Sequence, residues 1–301
     1  MKLRSKAFIS FVVLAIIYAS VNLIVAPPRT TLEHYGVSES TLRLINVTVI
    51  VPVIAIWFLG LYGYQKLQEY TGRIKEESTE GKPMANLSQG VMFIVISLPI
   101  TSTLSAILNA IARDHPSVKP ITTIFVNYLA MILAFLAFWF ISRGARRLTE
   151  SGNYRPKQYG VHILALILIV ISVLYGFLVA NSRPDIYTIY HMPVSVVLFT
   201  IVIPYIFSWY LGLLGAYDLH TYNQQLKGTI YRKSWSAVAY GIIWLVVFSI
   251  VFQYITSVSA KLGTMSLGWL LILIYGILAV TTVGYLYIVS GSKRLIKIEE
   301  A

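Results

Sequence analysis

TVIVPVIAIWFLGLYGYQKLQEYTGRIK at residues 48–75 and TIVIPYIFSWYLGLLGAYDLHTYNQQLK at residues 200–227 are the stretches whose comparison decides the fold. Laid over each other without gaps, they share Thr48/Thr200, Pro52/Pro204, Ile54/Ile206, Trp57/Trp209, Leu59/Leu211, Gly60/Gly212, Leu61/Leu213, Gly63/Gly215, Leu67/Leu219, Tyr70/Tyr222 and Lys75/Lys227, which is 11 identities in 28 positions. Apolar bias inflates matches of Leu and Ile. It does not produce matched Pro, Trp, Tyr and two Gly. Working outward, a second match at an offset of 147 sets Gly144-Ala145-Arg146-Arg147-Leu148 on Gly291-Ser292-Lys293-Arg294-Leu295, and Tyr128 on Tyr275. Self-similarity at a fixed period is the signature of a duplicated unit.

The surrounding sequence says what kind of unit it is. The chain has 301 residues, 57% of them hydrophobic and 12% charged, with a mean hydropathy of +0.72. A soluble domain carries about 25% charged residues. Half that charge on this much apolar surface calls for hydrocarbon as solvent. A helix crosses roughly 30 Å of hydrocarbon with about 20 apolar residues. Eight stretches satisfy this: Ala7–Ala26, Ile45–Tyr64, Gly90–Ile111, Ile121–Ile141, Gly160–Ala180, Val194–Leu214, Ala237–Val258 and Leu267–Val289. Charged residues and histidines stay out of their interiors. Gly90 and Gly241 fall near the start of the third helix of each copy. The longest polar stretch, Gln65–Gln89, includes the mixed-charge run Arg73–Pro83, and that run is expected to be a solvated loop or short surface helix.

The fold class expected is therefore an all-α membrane protein of eight transmembrane helices, in two four-helix repeats, 1–152 and 153–301. An even number of helices per copy makes both copies enter the membrane in the same direction. The repeats are then parallel, with a pseudo-two-fold axis along the membrane normal. The first span follows Lys2, Arg4 and Lys6 and ends at Ile24-Val25-Ala26, which resembles a secretory signal. Its 20-residue apolar run, the following Pro27 and its counterpart at Gly160–Ala180 favour a retained helix.

Lys and Arg asymmetry sets the orientation. With the N-terminus inside, 18 of the 24 Lys and Arg lie on inner segments and 6 on outer loops. Both termini are expected to be cytoplasmic, in what is expected to be a bacterial plasma membrane. The net charge of +12 reads as topology and as contact with anionic head groups, above all through Arg146, Arg147, Lys293 and Arg294. No folded basic domain is present to bind nucleic acid.

Two constellations stand out inside the membrane. Pro52…Trp57-x-x-Gly60-x-x-Gly63 and Pro204…Trp209-x-x-Gly212-x-x-Gly215 put a kink, an indole and close-packing glycines on one helix, and read as the packed core of each repeat. The third span carries Ser97, Thr101, Ser105 and Asn109 at spacings of four, with Pro99 among them. Such a stripe lines either a solute path or a packing interface in which hydroxyls bond the backbone one turn back. Neither constellation offers a catalytic group or a cofactor ligand. With no cysteine, no intramembrane carboxylate or lysine, and five histidines confined to loops and span ends, no catalytic residue, cofactor or metal site is expected. The Asp218-Leu219-His220 group is too small to specify metal or acid–base chemistry. The expected function is that of a binding, scaffold or assembly subunit in contact with membrane lipids and a membrane protein partner. The alternative is a facilitator or flippase-like transporter with a path between the repeats.

The absence of native cysteine makes the orientation directly testable. Cysteine at Ser78 or Ser151 should be shielded from an impermeant thiol reagent added outside, and cysteine at Ser38 or Ser182 should react. The reverse pattern would invert the topology.

Overall fold

The computed structural model describes residues 2–25, 38–74, 80–115, 119–151, 203–254 and 267–300, together with Ile163, Leu166, Ile167, Val170 and Leu174. Seven helices fill these ranges: α1 Lys2–Ser20, continued by a π turn at Val21–Val25, α2 Glu39–Thr71, α3 Gly81–Asp114, α4 Lys119–Ser151, α5 Ile203–Gln225, α6 Arg232–Tyr254 and α7 Leu267–Glu300. There is no strand among the described residues. Hydrocarbon offers no water to backbone N–H and C=O groups, so each segment must satisfy them within itself, and a helix does so.

Six of these helices, α1, α2, α3, α4, α6 and α7, are long and apolar enough to cross a membrane, the pattern of a multi-pass membrane protein. α5 corresponds to the later part of the span expected at Val194–Leu214; the start of that span lies outside the described residues. The span expected at Gly160–Ala180 also lies outside them, apart from Ile163, Leu166, Ile167, Val170 and Leu174. Those five are helical and exposed.

Local sequence sets the ends and kinks. Ser38 caps α2, its hydroxyl accepting from Thr41 N at 3.4 Å. Pro52 and Pro99 sit inside α2 and α3, where each removes one backbone donor. The α5–α6 connection is a tight turn in which Thr229 N donates to Leu226 O at 3.1 Å. Gly228, its third residue, has φ 91°, a value that side-chain-bearing residues rarely adopt.

α2 to α7 form a closed circuit of contacts. α2 packs on α3, α3 on α4, α4 on α5, α5 on α6, α6 on α7, and α7 returns to α2. α1 lies against α2 and α3. The C-terminal ends of α4 and α5 meet, since Gln225 Nε2 donates to Thr149 O at 3.3 Å. Those of α2 and α7 also meet, through Arg73 Nη1 and Glu300 Oε1 at 2.8 Å. The N-termini of α3 and α6 follow short connections at the same end. This end, with Lys66, Lys82, Arg143, Arg147, Lys233, Lys293 and Lys297, is the basic end of the bundle.

Helix reaches further into the stretch Gln65–Gln89 than the apolar spans do. Gln65–Thr71 continues α2 and Gly81–Gln89 begins α3, leaving only 72–80 between them. Charge interrupts the apolar run, but the helix keeps an apolar stripe. Leu67, Tyr70, Met84 and Leu87 are buried in the same core as Leu148, Leu219 and Leu295. At about 1.5 Å per residue, the eleven residues of α7 beyond Val289 add roughly 16 Å. The bundle thus continues past its apolar spans as a packed, partly charged extension.

Within that extension, Leu87→Ala and Leu219→Ala, both at fully buried positions, should each cost about 2–5 kcal/mol through cavity formation. Thermal unfolding in detergent reads this out. Unchanged melting for both would mean that the extension is not packed.

Candidate functional site

The constellations of α2 and α5 are positioned by helix approach. Trp57 and Trp209 are 2% and 1% exposed, so both indoles face the interior rather than an interfacial belt. A methyl group added at Gly60 would stand 2.8 Å from Tyr285 Cζ, and one at Gly212 would stand 3.0 Å from Val246 Cγ1 and 3.2 Å from Phe138 Cδ2. At Gly63 the nearest atom would be Val289 Cγ2 at 3.4 Å; at Gly215 it would be Ile141 Cγ2 at 3.0 Å. These residues hold α2 against α7, and α5 against α4 and α6. Pro52 lies at the α2 surface and lines a groove described below. Pro204 lies in the first turn of α5.

On α3, Ser97, Thr101 and Ser105 are half-buried. Thr101 Oγ1 donates to Ser97 O at 2.7 Å, one turn back. The Asn109 side chain lies outside the described residues. Thr103, off the stripe, is buried.

At the basic end, Arg146 Nε bonds Glu150 Oε1 at 2.8 Å. Arg147, Lys293 and Arg294 are exposed on α4 and α7. A set of polar contacts braces this end. Thr149 Oγ1 donates to Asp218 O at 2.9 Å across α4 and α5, and Tyr222 OH donates to Glu80 Oε1 at 3.0 Å. Burial, and then the Glu80 charge, push the Tyr222 hydroxyl far above the ordinary tyrosine range, so it remains a neutral donor to that carboxylate. Asp218 has no exposed surface. His220 and His115 are exposed; His34, His162 and His191 lie outside the described residues.

The seam between α2 and α7 joins residues named from the sequence, Thr48, Pro52, Tyr275 and Lys293 among them, to others that were not. Near the end opposite the basic one, the hydroxyls of Thr48 and Tyr275 are 2.7 Å apart. Next comes a groove of about 270 Å³, lined by Pro52, Ala55, Ile56 and Leu59 of α2 and by Leu278, Ala279 and Thr282 of α7. One turn beyond Leu59, the Tyr62 ring carries Lys293 Nζ at 5.2 Å and Lys66 Nζ at 6.0 Å from its centroid. Lys66 also pairs with Glu69 at 3.0 Å. The signal was present in the repeat alignment, at the positions where the copies disagree: Ala55 against Phe207, Tyr62 against Leu214 and Lys66 against Asp218. Identities alone pass over them. No protein-family model, curated protein or solved structure matches this chain.

Gly60→Leu and Gly212→Leu should each destabilise the protein by overpacking, roughly 1–3 kcal/mol. Both variants melting like the wild type in detergent would place these glycines against lipid instead.

Proposed function

We propose that this chain is an eight-span protein of two parallel four-helix copies, with its termini in the cytoplasm of a bacterial cell. It acts by binding, as a scaffold or assembly subunit whose basic end contacts anionic head groups and a membrane protein partner. The observation that carries the architecture is a set of reciprocal contacts. Gly90 approaches Ala137 and Ile141, while Gly241 approaches Gly284 and Ile288. Gly144 approaches Pro83 and Leu87, while Gly291 approaches Ser234 and Val238. Between the proposed copies, Gly215 approaches Ile141 and Ser142, and Gly63 approaches Ile288 and Val289. Each contact has its counterpart at displacements of 147, 151 or 152 residues, within one residue of the offsets of the sequence repeat. A two-fold relation exchanges the copies in this manner, making α2 on α7 the counterpart of α5 on α4.

The eighth span is supported by connectivity. α4 ends at the basic end, and so does α5. That is the arrangement an additional crossing between α4 and α5, where the sequence places the fifth span, would give. The contact role draws on the basic end itself. It is braced by hydrogen bonds between helices and presents Arg147, Lys293, Arg294 and Lys297 to the surroundings. Near an anionic leaflet each such residue contributes about 1 kcal/mol of attraction.

The test purifies the full chain in mild detergent, as wild type and with Arg146, Arg147, Lys293 and Arg294 all changed to Gln. A stoichiometric membrane protein should accompany the wild type and be lost from the variant, whose melting temperature stays the same. Saturable uptake of a solute into vesicles, abolished by Thr101→Val, would overturn this in favour of transport.

A further inference from the structure

We infer that the α2–α7 seam is a binding site for one anionic phospholipid, with its phosphate at Lys293 and Lys66 and an acyl chain in the groove between Ala55 and Ala279. This rests on the reading that the chain works by binding within the membrane, and it gives one ligand of that kind a place.

The apolar part of the seam has the right chemistry and depth. The groove walls are carbon, apart from the hydroxyl of Thr282, which donates to Leu278 O at 2.7 Å and so faces its own helix. From Ala55 to Lys66 is eleven residues, about 16 Å along a helix. That is close to half of the roughly 30 Å hydrocarbon thickness. A chain in the groove and a phosphate at Lys66 therefore belong to the same lipid in the same leaflet.

The polar part supplies complementary charge. Arg73 pairs with Glu69 and Glu300, and Lys66 pairs with Glu69. Among these four groups the charges balance. Lys293 has no carboxylate partner among the described residues and stands over the Tyr62 ring. Lys293 thus sets a cation at the foot of an acyl-sized groove, complementary to a phosphodiester. Tyr62, 39% exposed, adds a hydroxyl and an aromatic face, features suited to the head-group boundary.

Comparison with the α4–α5 seam shows that these features are particular to one side. At the offsets of the repeat, Ala55, Ala279 and Thr282 become Phe207, Ile132 and Phe135, all exposed large side chains. Tyr62 becomes Leu214, Lys66 becomes the buried Asp218, and Lys293 becomes Arg146, which is paired with Glu150. The small residues, the aromatic ring and the uncompensated cation are present together in one seam and absent together from the other. Packing the seam requires none of them, because α4 and α5 pack without them.

The full chain is reconstituted into vesicles of phosphatidylcholine, with or without phosphatidylglycerol, and extracted gently. The lipids retained per chain are counted by native mass spectrometry. One phosphatidylglycerol should remain on each wild-type chain, with phosphatidylcholine not retained. Lys66→Gln with Lys293→Gln should weaken retention about tenfold or more. Ala55→Phe with Thr282→Phe, which copies the side chains of the other seam, should abolish it without lowering the melting temperature. If that pair does lower melting, Ala279→Ile alone is the groove-filling variant to read. Equal retention of phosphatidylcholine, retention unaffected by filling the groove, or an equal loss on Arg146→Gln with Arg147→Gln would each overturn the inference. Displacement by inorganic phosphate would reveal a site for the anion alone and overturn it too. The groove-filling variants should still capture the protein partner of the basic end, so a failure of lipid retention and a failure of partner capture are read separately.

Discussion

Close approach of helix backbones is the constraint on which this bundle depends. Inside a membrane, leucine is as comfortable against lipid as against another leucine, so burial from water does not drive spans together. Dispersion does, and it weakens steeply with even a small gap. The bundle meets this with small residues at its crossings. A methyl group at Gly90 would come within 2.9 Å of Ala137 O, and one at Gly291 within 2.6 Å of Ser234 O. At such crossings one helix rests on the backbone of the next. The large side chains, Trp57, Trp209 and Phe138 among them, then fill what remains of the interior.

Beyond the apolar spans the physics changes, and the bundle uses a second set of devices. Water is present, charge is tolerated, and leucines regain a reason to hide. Leu67, Leu87, Leu148, Leu219 and Leu295 form the core of the extension, while carboxylates, threonines and tyrosines tie the helices at its margin. A neutral Tyr222 donating to Glu80 is suited to that zone, where a hydrogen bond is partly shielded without being stripped of water.

Hydropathy made the membrane class legible, because charge is excluded from whole spans. The matched glycines, Gly60 with Gly212 and Gly63 with Gly215, pointed to helix contacts, because close packing leaves a strict sequence demand. The extension between Gln65 and Gln89 is harder to read. Its apolar positions, Leu67, Tyr70, Met84 and Leu87, are sparse, and neighbouring charges hide their helical spacing. The seam was passed over. Ala55, Tyr62 and Lys66 are unremarkable singly and gain meaning only against Ala279, Thr282 and Lys293 on α7, with which no local pattern connects them.

The circuit of helices closes between partners far apart in sequence. Thr48 and Tyr275, which meet at that closure, are 227 residues apart. During synthesis α2 is made well before α7, so the face of α2 around Gly60 and Gly63 waits for Tyr285, Ile288 and Val289 until α7 has been made. Contacts this distant in sequence are slow to form. Until then the face that Tyr285 and Val289 cover is open to the acyl chains of a bilayer. Its closing is a displacement of solvent in the bilayer's own sense, with acyl chains leaving a helix face so that another helix can take their place.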